Sequence, residues 1–185
     1  MKIDRRFSDE VNEQIARERA EQHILNVWFE EGMLELDSIG VDWNNRQKVD
    51  MTSYKDKRFF NAIWHASTEI LPALEVQVVI DGHNDCYVTT GSSGYVEFGM
   101  KPPVGMTLPI KCWIHTHPFG AAYFSGVDWG TVNVWKSLMQ EAYVLGGVEH
   151  YGYWHNSQPD LLMIRYLDEN GLETFRGQVQ NRGEE

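Results

Sequence analysis

The chain has 185 residues, of which 42% are apolar and 23% charged, and its formal net charge is −11. That length suits one domain that buries its own core without staples. The acidity argues against a nucleic-acid backbone as the main partner. No apolar run approaches membrane-spanning length.

Two cysteines, Cys86 and Cys112, stand far apart and form no C-x-x-C pair. A disulfide framework is therefore not expected, and a reducing compartment is the simpler reading. The first residues, MKIDRRFSDEVNEQ, hold no apolar stretch of signal-peptide type. The expectation is a cytoplasmic protein with neither nucleic acid nor membrane as partner.

Residues 8–36 read as one helix, with Ser8 as its cap and Ala16, Ala20, Ile24, Val27 and Trp28 on one stripe. The segment 37-DSIGVDWNNRQKVD-50 is polar and turn-rich, which places a boundary there. The division expected is an N-terminal helical extension, 1–50, and a main domain, 51–185. The N-terminal helix can pack on that domain, form a homodimer or bind a protein partner through residues 8–36.

A second helix fits 53–71, with Phe59, Ile63, Ala66 and Ile70 on its apolar face and Pro72 at its end. Strands follow at 74–81 and 86–90, joined by a turn at 82–85. The glycine- and proline-bearing segment from Gly91 to Thr107 reads as a loop, with 95–98 a short strand. Residues 108–117 read as a strand that runs into 114-IHTHPFGAAYFSGVDW-129. A helix after Ser125 would set Val127, Thr131, Val134, Leu138 and Ala142 on one face. Strands are predicted at 143–148 and 161–167, with a turn at Asn170-Gly171. The run 150-HYGYWHNSQPD-160 reads as an aromatic loop. The sum is an α/β domain with one helix before the first strand and another after the motif.

His115 and His117 stand at i and i+2. On a strand such side chains share a face, about 6.6 Å apart along the chain, and two imidazoles so placed can converge on one ion. Pro118 ends the strand because it cannot donate a ladder hydrogen bond. Asp128 falls in the first turn of the following helix and offers a third, anionic ligand. Three protein ligands leave a fourth position for water, the pattern of catalytic rather than structural zinc. Ser125-x-x-Asp128 is also a variant of the helix capping box, and a capped helix start is a rigid mount for a ligand. His65, His83, His150 and His155 have no ligand spacing to the motif and read as surface or loop residues.

The joint pattern H-T-H-P, six residues, S-G-V-D resembles the signature of the JAMM (MPN+) zinc metalloproteases. A weaker likeness in element order extends over about residues 53–170. The resemblance implies a cytidine-deaminase-like mixed sheet flanked by helices. It implies one zinc ion per chain held by His115, His117 and Asp128, with Ser125 near the reacting carbonyl. The family also needs an upstream glutamate as proton shuttle. Glu75 fits best, at the start of the strand after the helix ended by Pro72, with Glu69 and Glu97 as competitors. Where the family often has a glycine three residues after this glutamate, this chain has Val78.

The activity so implied is hydrolysis of the bond after the C-terminal glycine of ubiquitin or a ubiquitin-like protein, in deconjugation or precursor processing. The short segment between Gly91 and Thr107 leaves a simpler ubiquitin-like or sulfur-carrier protein open as substrate. The alternatives are a non-catalytic scaffold of the same fold, with residues 1–50 as its interaction arm, and a small-molecule hydrolase or metal-binding module.

Overall fold

The computed structural model describes residues 5–35, 47–52, 54, 56–91 and 105–180. The predicted strand at 95–98, Glu97 and most of the boundary segment 37–50 lie outside them.

Helix α1 (Arg5–Glu30) begins upstream of Ser8, so Ser8 lies within the helix and is not its cap. The residues around it include straight-chain arginines, which favour helix. The stripe predicted for this helix is the buried one: Ala20, Ile24 and Trp28 are fully enclosed. At its end Gly32 takes a left-handed φ of +68°, and the Met33 amide donates back to the Trp28 carbonyl at 2.8 Å. This is how glycine commonly ends a helix.

Helix α2 (Lys57–His65) starts where the Asp56 side chain accepts from the Arg58 amide, and it continues as a π-helical turn over Ala66–Ile70. Trp28 of α1 stacks on Phe59 of α2 with ring centroids 4.1 Å apart. Residues of the N-terminal segment thus enter the same core as residues of the sheet, among them Val76, Val78 and Ile114.

Seven strands form one mixed sheet: β1 (Val76–Ile80), β2 (Cys86–Thr90), β3 (Ile110–Thr116), β4 (Met139–Leu145), β5 (His150–His155), β6 (Leu161–Leu167) and β7 (Glu173–Val179), in the order β2-β1-β3-β4-β5-β6-β7. Only β3 and β4 run parallel, and helix α3 (Gly126–Trp135) is the crossover between them. The parallel pair requires such a crossover, whereas every other neighbour turns back antiparallel.

Strand alternation divides the core. Val78, Ile80, Cys112, Ile114, Tyr143 and Leu145 pack with α1 and α2 on one face. Val79, Trp113, Ala142, Val144, Trp154 and Leu162 pack with α3 on the other. The fold is therefore mixed α/β, a seven-stranded sheet flanked by helices and preceded by an N-terminal helix. Among the described residues no helix is long and apolar enough to cross a membrane.

Three expectations are corrected. The helix after the motif stops at Trp135, and Ala142 belongs to β4. Its buried residues are Asp128, Trp129, Val132 and Trp135, while Val127, Val134 and Leu138 are exposed. The helix is apolar on both sides, and the larger tryptophans take the sheet side because they bury more surface. The aromatic run at 150 is not a loop: it forms β5, with Trp154 fully buried. β7, which no sequence signal marked, closes the far edge against β6.

Candidate metal centre

Alternation from Trp113 puts His115 and His117 on the α3 side of β3. The indole of Trp113 stacks on the His115 ring at 4.4 Å, and Phe124 lies 6.0 Å from the same ring. His115 is thus buried in an aromatic wall with 2% exposure. Neither of its ring nitrogens has a hydrogen-bond partner among the described residues. A buried, orphaned imidazole is costly unless something else takes its lone pair.

Asp128 faces it from the first turn of α3. Its Oδ1 lies 3.1 Å from His115 Nε2, without the direction of a hydrogen bond, and its Oδ2 lies 3.3 Å from His117 Nε2. One ligand atom from each of the three residues falls within 4.8 Å of the others, so the group can hold a metal ion. Two nitrogens and one carboxylate oxygen suit a borderline divalent cation. His115 Nε2, buried and without a hydrogen bond beside Asp128, is the structural sign that the residues fit one.

Two of the three side chains are held from behind. His117 Nδ1 lies 2.7 Å from the Ala121 carbonyl, which can only accept, so that nitrogen carries a hydrogen and Nε2 is left as the atom that can turn to an ion. Ser125 and Asp128 form a complete capping box: Oγ of Ser125 accepts from the Asp128 amide at 3.2 Å, while the Ser125 amide and hydroxyl donate to Asp128 Oδ2 at 2.7 and 2.8 Å. The capping reading and the ligand reading therefore coexist. Oδ2 carries the cap, and Oδ1 turns to His115.

Burial works to raise the pKa of Asp128. The two imidazoles and the Ser125 amide outweigh it and hold the carboxyl well below the usual carboxylate range. For His117 burial works downward, but the hydrogen bond and charge of Asp128, the Ala121 carbonyl and the charge of Glu75 carry the net direction up.

The paired β1–β3 register ends at Gln77 and His115, and carried two residues further it sets Glu75 opposite His117. Its backbone carbonyl is held by the Gly91 amide at 3.0 Å. Val78, at the position where the JAMM family often has a glycine, is a buried strand residue paired with both Val88 and Ile114. Glu69 lies on the π-helical turn beside His65, 3.8 Å away, with an exposed side chain. Among the described residues no other histidine, cysteine or acidic side chain joins the cluster.

Sequence reasoning passed over Gln77. It is 2% exposed, accepts from the Trp113 indole at 2.9 Å and so fixes the ring that carries His115. A lone polar residue inside the apolar strand VQVVI was its signal. It also passed over Gly146, where a Cβ would meet the Ala122 amide at 2.9 Å and the Ala121 carbonyl carbon at 3.1 Å. Phe119, Tyr123 and Val127 stand exposed in the motif segment that joins the ligands.

Compared with models of known protein families, with curated proteins and with solved structures, the chain matches none.

Proposed function

We propose that this chain is a zinc-dependent peptidase of the JAMM type. Its substrate would be ubiquitin or a ubiquitin-like protein, cut after the C-terminal glycine. The observation that carries the reading is the convergence of His115, His117 and Asp128 beneath the strand end that bears Glu75. Zinc, when bound by these three residues, supplies a Lewis acid and lowers the pKa of water at its open position to about 7.

The chain's own residues do the rest. Asp128 stays ionised because the Ser125 amide donates to its carboxylate and favours the charged form. His117 presents Nε2 because its other nitrogen is committed to the Ala121 carbonyl. Glu75, set opposite His117, takes a proton from the attacking water and returns it to the departing amine. Ser125 has a hydroxyl that can turn from Asp128 Oδ2 to the developing oxyanion, while the Ser125 amide keeps the cap. The exposed Phe119, Tyr123 and Val127 give the site an apolar rim that suits an extended protein tail better than a small polar substrate.

The test is incubation of the zinc-loaded protein with fusions of ubiquitin and of smaller ubiquitin-like proteins, followed by mass spectrometry of the products. Cleavage after the terminal glycine that is abolished by Glu75→Gln is expected. Intact fusions under all conditions, with zinc bound, would remove the peptidase reading.

A further inference from the structure

The backbone pairing of β1 with β3 stops at Gln77 and His115. The next step, at Val76 and Thr116, is made by a side chain. The Val76 amide donates to Thr116 Oγ1 at 2.9 Å. Thr116 Oγ1 lies 2.7 Å from Ser67 Oγ, on the π-helical turn after α2. Ser67 Oγ in turn donates to the Leu74 carbonyl at 2.5 Å.

A carbonyl only accepts, so the proton of Ser67 goes to Leu74. Thr116 must then donate to Ser67 and accept from Val76. The direction of every bond follows, and both hydroxyls are fully buried. This circuit grips Leu74 on one side of Glu75 and Val76 on the other. Its centre is Thr116, the residue between His115 and His117, on the opposite face of the strand. The third backbone tether, from Gly91 to the Glu75 carbonyl, holds the residue itself.

We infer that Thr116 and Ser67 are positioning residues for Glu75. They register the proton shuttle against the metal ligands through the strand that carries those ligands. The inference rests on the peptidase reading for what Glu75 does, but the placement it assigns is a property of the chain alone. Ordinary satisfaction of buried hydroxyls would ask only that each finds some partner. Here both partners outside the pair flank one carboxylate-bearing residue. A displacement of about 1 Å at such a group is enough to lose roughly 100-fold in rate.

Two measurements test it. First, crystals of the wild type, Thr116→Val, Thr116→Ser and Ser67→Ala are grown with and without zinc, and zinc content is measured in solution. We expect zinc to be retained in all four, and the Glu75 carboxylate to withdraw from His117 by about 1 Å or more in Thr116→Val and Ser67→Ala. Thr116→Ser should restore the wild-type position. If Thr116→Val does not fold, Ser67→Ala, which frees Leu74 alone, carries the comparison. An unmoved Glu75 in either variant overturns the inference.

Second, ubiquitin bearing a C-terminal aminocoumarin amide serves as probe. The expected result is a fall in kcat of at least tenfold with KM unchanged, and no further fall when Thr116→Val is added to Glu75→Gln. An equal fall in both backgrounds is general weakening of the domain and overturns the inference. If the wild type takes up no zinc or leaves the probe intact, the peptidase reading fails by itself, and the zinc-free crystals still decide the placement of Glu75.

Discussion

Gly146 packs against the peptide that joins Ala121 to Ala122, so closely that a Cβ would lie 2.9 Å from the Ala122 amide nitrogen. Such an approach is tighter than a packed methyl group tolerates. The Ala121 carbonyl is the group that fixes the His117 ring. A glycine just after β4 therefore lies against the peptide whose carbonyl fixes the ring of His117, just after β3. Gly146→Ala should push residues 120–122 outward and release His117 Nδ1. The expected result is a weakening of zinc affinity of about 10- to 100-fold, the usual consequence of losing an outer partner. Competition with a chromogenic chelator measures it, and unchanged affinity would remove the link between Gly146 and His117.

Ser125 serves two roles that one substitution separates. Ser125→Ala removes the side-chain cap of α3 and should cost about 0.5–2 kcal/mol of stability. The Ser125 amide still reaches Asp128 Oδ2, so zinc should stay bound. Loss of an oxyanion donor typically lowers kcat by about 10²–10³. Denaturant unfolding, zinc content and cleavage rate together check this. If the variant cleaves as fast as wild type, Ser125 acts as a cap alone.

On the face opposite the metal centre, Glu141 lies buried between Tyr54 and Tyr153, and both hydroxyls donate to its carboxylate. Burial raises its pKa from 4.5 to about 7, and the Tyr153 hydrogen bond only partly opposes this. The folded state then binds the proton more tightly than the unfolded one. The stability contributed is present below pH 4.5 and is lost as pH rises through about 7, on the order of 3 kcal/mol in all. Urea unfolding at intervals from pH 4.5 to 8 should show wild type losing stability relative to Glu141→Gln. Parallel profiles would contradict the assignment.

Local chemistry was legible where one residue type has one physical use. The turn at 82–85 is read in place, and the spacing of His115, His117 and Asp128 on a strand and a helix start points to three residues that the fold brings together as a group able to hold a metal ion. What failed involved choices between two surfaces. In GVDWGTVNVW apolar residues occur on both sides of the helix, so periodicity could not say that Val127 and Val134 face outward. The run HYGYWH is rich in aromatics, which favour strands, a signal that the loop reading leaves unused. Gly152 is there because a Cβ would strike Val144 and Leu162 at 2.8 and 2.9 Å. The Ser67–Thr116 contact joins residues 49 positions apart, and no local pattern encodes such a meeting.

The most direct measurement is the metal content of the purified chain after equilibration with zinc and removal of excess, read by elemental mass spectrometry. The wild type should carry one zinc ion per chain, and His115→Ala and Asp128→Ala should carry none while remaining folded by circular dichroism. A wild-type chain that stays free of metal under these conditions, or an Asp128→Ala variant that binds as much, would contradict the assignment of His115, His117 and Asp128 as a metal centre.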